Sequence, residues 1–253
     1  MRSVVCSVAT ILIFLALPLI GQNAQPFGSL ANSQSVREEL GIAIKNGVQN
    51  AYTTPKKYLG IKGHPFISDG WMDGKVCLKK DSAIISNPVV KYRFDSYGNE
   101  LWIYNGKDSI VAYSKDINWF EVSEMNQIRA FRKYPQNSEK SPQTFYCALL
   151  DTKDIHFVRD MKKALVRADF VDKGMYSTGS PYDRFEEKHQ WLIAFGNDSF
   201  KKIKLNVKSI LEEVPSKHRK AASAWARSQK MKGKISEQEA IQLLGYVQSL
   251  IQA

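Results

Sequence analysis

The sequence predicts an α+β protein, with an antiparallel β-meander (sandwich or rolled sheet) closed by C-terminal helices. Three observations carry this. Apolar residues alternate with polar ones through residues 70–134. Each run ends in turn residues, with connections too short for parallel crossovers. Residues 206–253 then change to helical spacing.

Residues 1–24 read as a signal peptide. Arg2 gives a positive start, residues 8–20 are apolar, and Pro18, Gly21 and Ala24 mark a break, with cleavage after Gly21 or Ala24. A retained anchor is the alternative, although the run is short for a bilayer span and no later segment approaches that length. Cys6 precedes the apolar run, so it is not placed as a lipoprotein cysteine. The expectation is an exported protein in the periplasm, on the envelope or outside the cell.

Residues 25–69 are a polar lead-in with a short helix and a loop. Ser35 and Glu38 fit a capping box, and Val36, Leu40, Ile44 and Val48 recur every four residues. That predicts a helix over 36–50. A loop with Pro55, Gly60, Gly63 and Pro65 follows.

Residues 70–134 form the β-meander lobe. Val76 and Leu78 share a face, as do Val90, Tyr92 and Phe94, then Leu101 and Ile103. Ile110 and Ala112, Phe120 and Val122, and Ile128 and Ala130 continue the pattern. These β-branched and aromatic residues suit a pleated surface. Asn105-Gly106 is the strongest hairpin signal. Trp102 beside Ile103 and Trp119 beside Phe120 put large side chains on both faces. The second face is either covered or forms a groove.

Residues 135–143 read as a linker between two lobes, and 144–205 as a second strand set. Phe145, Cys147 and Leu149 alternate, and 155–158 is a short strand. Residues 159–171 fit both periods, and a strand over 163–171 is preferred. A hairpin over 190–205 closes the set, with Glu186 and Glu187 read as part of a solvated loop before it. In 206–253, Asn206 caps a helix that Pro215 stops. Ser216 opens a second helix, broken at Lys232-Gly233-Lys234. Ser236 and Glu239 box the last one, whose stripe is Ala240, Leu244, Val247 and Ile251.

The 253 residues can bury a sizeable core, and 43% hydrophobic content excludes general disorder. The net charge of +11 draws the chain to anionic partners, or serves solubility alone. Arg219, Lys220, Arg227 and Lys230 project from one side of the second helix, making them candidates for an anionic lipid or glycan. The alternative is a solvated helix face. Loss of the leader leaves Cys77 and Cys147. An even count in an oxidising compartment permits one disulfide; the alternative is two buried thiols.

Catalytic patterns are sparse. The four histidines form no HxH or HExxH spacing, and Gly-x-Ser-x-Gly is absent. Ser199-Phe200-Lys201-Lys202 lacks the companion motifs of a Ser-x-x-Lys nucleophile. Asp69 and Asp73 flank Trp71, and acids around an aromatic are what a sugar-cleaving cleft needs. They are equally what a turn before a strand looks like. No metal-ligand set, glycine-rich phosphate loop or cofactor motif is present. Lys91-Tyr92-Arg93-Phe94 interleaves cations with rings, as single-stranded nucleic-acid binders do, but export argues against that role.

Gly70-Trp71, Gly74-Lys75-Val76, Val90-Lys91-Tyr92 and Leu101 occur in order with Tyr182-Asp183-Arg184-Phe185 and Lys204-Leu205-Asn206 before a Ser-Ile-Leu helix. In this the chain resembles a family of uncharacterised secreted proteins of the Bacteroidetes, over most of the mature length. The resemblance implies export and a β-rich fold and transfers no catalytic residue.

The function expected is that of an exported, non-catalytic envelope protein that binds or scaffolds, its basic face meeting an anionic surface or an envelope partner. The alternative is a hydrolase of envelope glycan or lipid, its residues scattered in sequence. A third reading is an assembly subunit whose sheet edge pairs with a partner strand.

Overall fold

A computed structural model describes residues 58–252, apart from 80, 81, 83, 107, 108, 126, 135–141 and 173–176. The leader, the helix over 36–50 and most of the linker lie outside the described residues.

The strands are β1 (Asp73–Leu78), β2 (Ile84–Ile85), β3 (Lys91–Asp95), β4 (Glu100–Tyr104), β5 (Ser109–Tyr113), β6 (Ile117–Glu124) and β7 (Gln127–Arg132). After the linker come β8 (Tyr146–Asp151), β9 (Ile155–Val166), β10 (Val171–Asp172), β11 (Ser177–Thr178), β12 (Arg184–Phe195) and β13 (Lys201–Ile203). Three helices follow: α1 (Val207–Glu213), α2 (Ser216–Ser228) and α3 (Glu237–Gln252).

All the strand ladders are antiparallel, and the fold is α+β. One open sheet runs in the order β13-β12-β9-β8-β7-β6-β1-β2, and β3-β4-β5 form a second. A short β10-β11 ladder stands apart. The large sheet continues across the linker, because Phe131 of β7 pairs with Cys147 of β8.

One row crosses the whole large sheet: Ile85, Val76, Phe120, Phe131, Cys147, Arg159, Trp191 and Ile203. Paired residues share a face, so this row marks the inner one. Two layers cover it. At the β1 end the three-stranded sheet packs with Tyr92, Phe94, Leu101 and Ile103 against Phe120 and Phe131. Phe120 and Phe131 stack at 4.6 Å, and Phe94 lies 5.1 and 5.2 Å from them. At the β13 end the three helices pack Ile210, Ala222, Ala226, Leu243, Leu244 and Val247 on Ile155, Phe157 and Ile193.

Arg159 sits where the two covers meet. Its Nη1 donates to Glu237 Oε1 at 2.8 Å, and Trp191 Nε1 donates to the same oxygen at 2.7 Å. A half-buried ion pair in the first turn of α3 therefore ties the helical cover to the sheet. Gln248 supplies a second tie, donating to Asp154 Oδ2 and accepting from Thr152 Oγ1, both at 2.8 Å.

The second faces of the strands are covered in different ways. Trp102 and Val111 pack beneath Phe66, whose ring carries Arg93 Cζ 4.0 Å from its centre. Trp119 lies between Arg132 and Lys75, at 4.6 and 5.6 Å. Gly74 is required by close approach, since a Cβ there would stand 2.2 Å from the Glu121 carbonyl oxygen.

The helix signals act as expected. The Asn206 side chain accepts from Ser209 N at 2.7 Å, and Val214 ends α1 ahead of Pro215. Ser236 and Glu239 exchange bonds at 2.8 and 3.2 Å in a capping box. The end of α2 closes through Lys230, at φ +59°, with Lys230 N bonding Arg227 O and Met231 N bonding Ala226 O. That is a Schellman closure, a position glycine usually takes.

Three expectations are corrected. A Cys77–Cys147 bridge does not form; both thiols are free and buried. Cys77 points to the face opposite Val76 and Cys147. The two also lie three strand steps apart, about 14 Å, beyond the roughly 7 Å between Cα atoms that a disulfide spans. Residues 155–166 form one strand rather than two, ending before 171. Its charged Arg159 and Lys163 lie on the same face as Ile155 and Phe157, which made the period look broken. Glu186 and Glu187 sit in β12, not in a loop, facing Ala164 and Lys163 of β9.

Candidate functional site

A cavity of about 1130 Å³ lies in the C-terminal third. Its walls are α1 and α2. Its end is residues 231–234, which fold back so that Val207 N bonds Gly233 O and Asn206 bridges Lys234. The floor is apolar: Leu205, Val207, Leu211, Ala226 and Met231. Leu205, Val207 and Leu211 are only half-buried. A polar annex of about 420 Å³ adjoins it, lined by Lys202, Lys204, Lys208 and Ser209. The two hollows share Lys204, Asn206, Lys208 and Glu212.

The rim is cationic. Lys204, Arg227, Lys232 and Lys234 line the cleft with side chains that have no hydrogen-bond or ion-pair partner among the described residues. Arg219 lines it too, but its guanidinium is already held. Nη2 donates to Glu212 O at 2.8 Å and Val214 O at 3.1 Å, closing the end of α1. Glu212 is the one carboxylate among the lining residues, and it stands 3.9 Å from Lys208 Nζ.

The four basic residues singled out by helical spacing therefore divide. Arg219 and Arg227 reach the cleft; Lys220 and Lys230 are exposed outside its lining. Lys204, Lys232 and Lys234 were missed. They lie outside the helices, where helical spacing says nothing, and the available signal was the pair of lysines around Gly233.

The acids around Trp71 are not gathered into a cleft. Asp69 is fully exposed, and His64 Nε2 lies 2.6 Å from its Oδ1. That contact holds the Asp69 carboxyl below its ordinary range. Asp73 pairs with Lys91 at 2.5 Å. Trp71 tilts on Tyr104 at 5.6 Å. These residues read as a turn leading into β1. His156 pairs with Asp151 at 2.7 Å. His189 borders a hollow of about 10 Å³, too small for any substrate. Among the described residues no group of three or more His, Cys, Asp or Glu side chains converges as metal ligands would.

Other perturbed groups serve the fold. Asp95 is fully buried and accepts from Tyr58 Oη at 2.6 Å, Tyr97 N at 3.0 Å and Gly98 N at 2.7 Å. Burial, then the Asp95 contact, push the Tyr58 hydroxyl above its ordinary value. Burial lowers the Lys133 ammonium to about 8, yet it donates to Ser114 O at 2.5 Å, to Ile117 O and to Gln143 Oε1 at 3.1 Å. Three acceptors occupy all its protons, so it is a brace. Burial pulls the Glu121 carboxyl up, but hydrogen bonds from Arg132 and Lys75 outweigh it and leave the group low.

Among the described residues no helix is long and apolar enough to cross a membrane. The fold and cleft define an α+β protein with two antiparallel sheets and a cation-rimmed apolar cleft between C-terminal helices. No family model matches the chain, and no curated protein or solved structure matches it.

Proposed function

We propose that this is an exported, non-catalytic binding or scaffold protein of the cell envelope, whose basic C-terminal face meets an anionic surface or partner. One observation carries the reading: four cations without partners among the described residues stand around an apolar floor. Cations in a finished fold are commonly paired or dispersed, and a cluster of one sign raises the local concentration of anions. The apolar leader-like residues 8–20 support export, and with it a lipid or glycan as the anion.

The lining supports binding rather than hydrolysis. It contains no histidine, no cysteine and one carboxylate, already beside a lysine. Among the described residues the Ser209 and Ser223 hydroxyls in the lining donate to no base, so no activated nucleophile is assembled there.

The test is flotation with vesicles of phosphatidylcholine, with and without phosphatidylglycerol. The protein should float only with the anionic vesicles, and less as salt rises. Reversing Lys204, Arg227, Lys232 and Lys234 to Glu together should abolish flotation. Unchanged flotation of that variant would sink the reading.

A further inference from the structure

The two adjoining hollows differ in floor: the annex is lined mainly by lysines and polar groups, whereas the cleft has an apolar floor beneath a cationic rim. The annex has Ile203 as its only apolar lining residue, and that side chain is buried. The apolar floor lies wholly on the cleft side. Lys204 and Lys208 stand at the junction, lining both. The cleft volume of about 1130 Å³ exceeds the roughly 300–1,000 Å³ typical of small-ligand pockets. A flat electrostatic contact with a bilayer needs no such hollow; head-group attraction acts across a surface.

We infer that the cleft takes the acyl chain of one monoacyl anionic lipid, with its phosphate head in the annex between Lys204 and Lys208. This rests on the anionic-binding reading above and deepens it from a surface contact to a site. The chain gains by leaving water against Leu205, Leu211 and Met231, where each buried methylene contributes about 0.8 kcal/mol. The phosphate gains charge-assisted bonds from lysines that carry no full-strength partner, since Lys208 meets Glu212 only at 3.9 Å. Glu212 repels the head and confines it to the lysine side of the annex.

Dodecyl phosphate, kept monomeric, is the probe, followed by titration calorimetry against the purified protein. Inorganic phosphate and uncharged dodecyl maltoside are the two half-ligand controls. The expected result is one site per chain for dodecyl phosphate, at least about tenfold tighter than either control. Ser223→Trp, which fills the cleft from a half-buried helix position without changing charge, should weaken it at least about tenfold. Lys204→Glu with Lys208→Glu should do the same, both variants keeping the far-ultraviolet circular dichroism and Tm of the parent. Binding that survives both variants, or that dodecyl maltoside matches, overturns the inference. Binding of an acidic amphipathic peptide at the cleft with none of dodecyl phosphate also overturns it. The two proposals fail separately. Flotation on anionic vesicles without dodecyl phosphate binding leaves the surface reading standing and removes this site, whereas loss of flotation as well removes both.

Discussion

The two covers of the large sheet are built from different material. Under the three-stranded cover the packing is aromatic, with Phe94 of the cover meeting Phe120, Phe131 and Phe145 of the large-sheet side ring on ring. The helical cover is aliphatic, with Ala222, Ala226, Leu243, Leu244 and Val247 over β9, β12 and β13. On the aromatic half the nearby charges are engaged: Lys75 and Arg132 with Glu121, and Lys91 with Asp73. On the helical half the short α1 does not fill the space beside α2. It leaves a cleft whose cations have no partner among the described residues. The aromatic half pairs these charges internally, while the helical half leaves its cations around a cleft, where the proposed anion would bind. That contrast teaches where to look for function, and it can be broken.

The largest effect belongs to the aromatic half. Phe131→Ala should cost about 3–5 kcal/mol, because the Phe94 and Phe120 rings packed on it cannot collapse into the gap. Urea unfolding measures it, and a cost near 1 kcal/mol would mean that this half is loosely packed. Next comes the joint between the covers. Glu237→Ala removes the acceptor shared by Arg159 and Trp191 and should cost about 1–3 kcal/mol. Because the change falls at the seam, the helical half should loosen first, visible as faster amide exchange in α3 than in β6. The third effect is a gain. Gly245 is exposed within α3, and a Cβ there meets nothing within 4 Å. Gly245→Ala should therefore stabilise by about 1 kcal/mol, read as a higher Tm. The smallest effect is the most telling. Arg227→Glu, Lys232→Glu and Lys234→Glu should each change stability by less than about 0.5 kcal/mol while weakening anionic binding. A larger stability change would make these residues structural and remove the contrast.

Much of the fold is legible in the sequence because its signals are local. Alternation over Val90 to Phe94 and over Leu101 and Ile103, the Asn206 cap, the stop at Pro215 and the box at Ser236 each act within a few residues. What is not legible depends on partners far apart in the chain. Nothing in Val76 or Phe120 says that β1 pairs β6 across four intervening strands, so the separate three-stranded sheet was not foreseen. Cys77 and Cys147 each read correctly as strand residues, but only the register shows that they point to opposite faces. The site divides in the same way. Helical spacing finds Arg219 and Arg227, about two turns apart on α2. It cannot find Lys204, Lys232 and Lys234, which the Asn206–Lys234 bridge brings beside them from two loops.

The most direct test of the central claim is hydrogen exchange on vesicles containing phosphatidylglycerol. The account predicts added protection within residues 204–234 and no change across β1, β6 and β7. Protection over the Lys75, Trp119 and Arg132 face, with none in 204–234, would place binding on the aromatic half and contradict it.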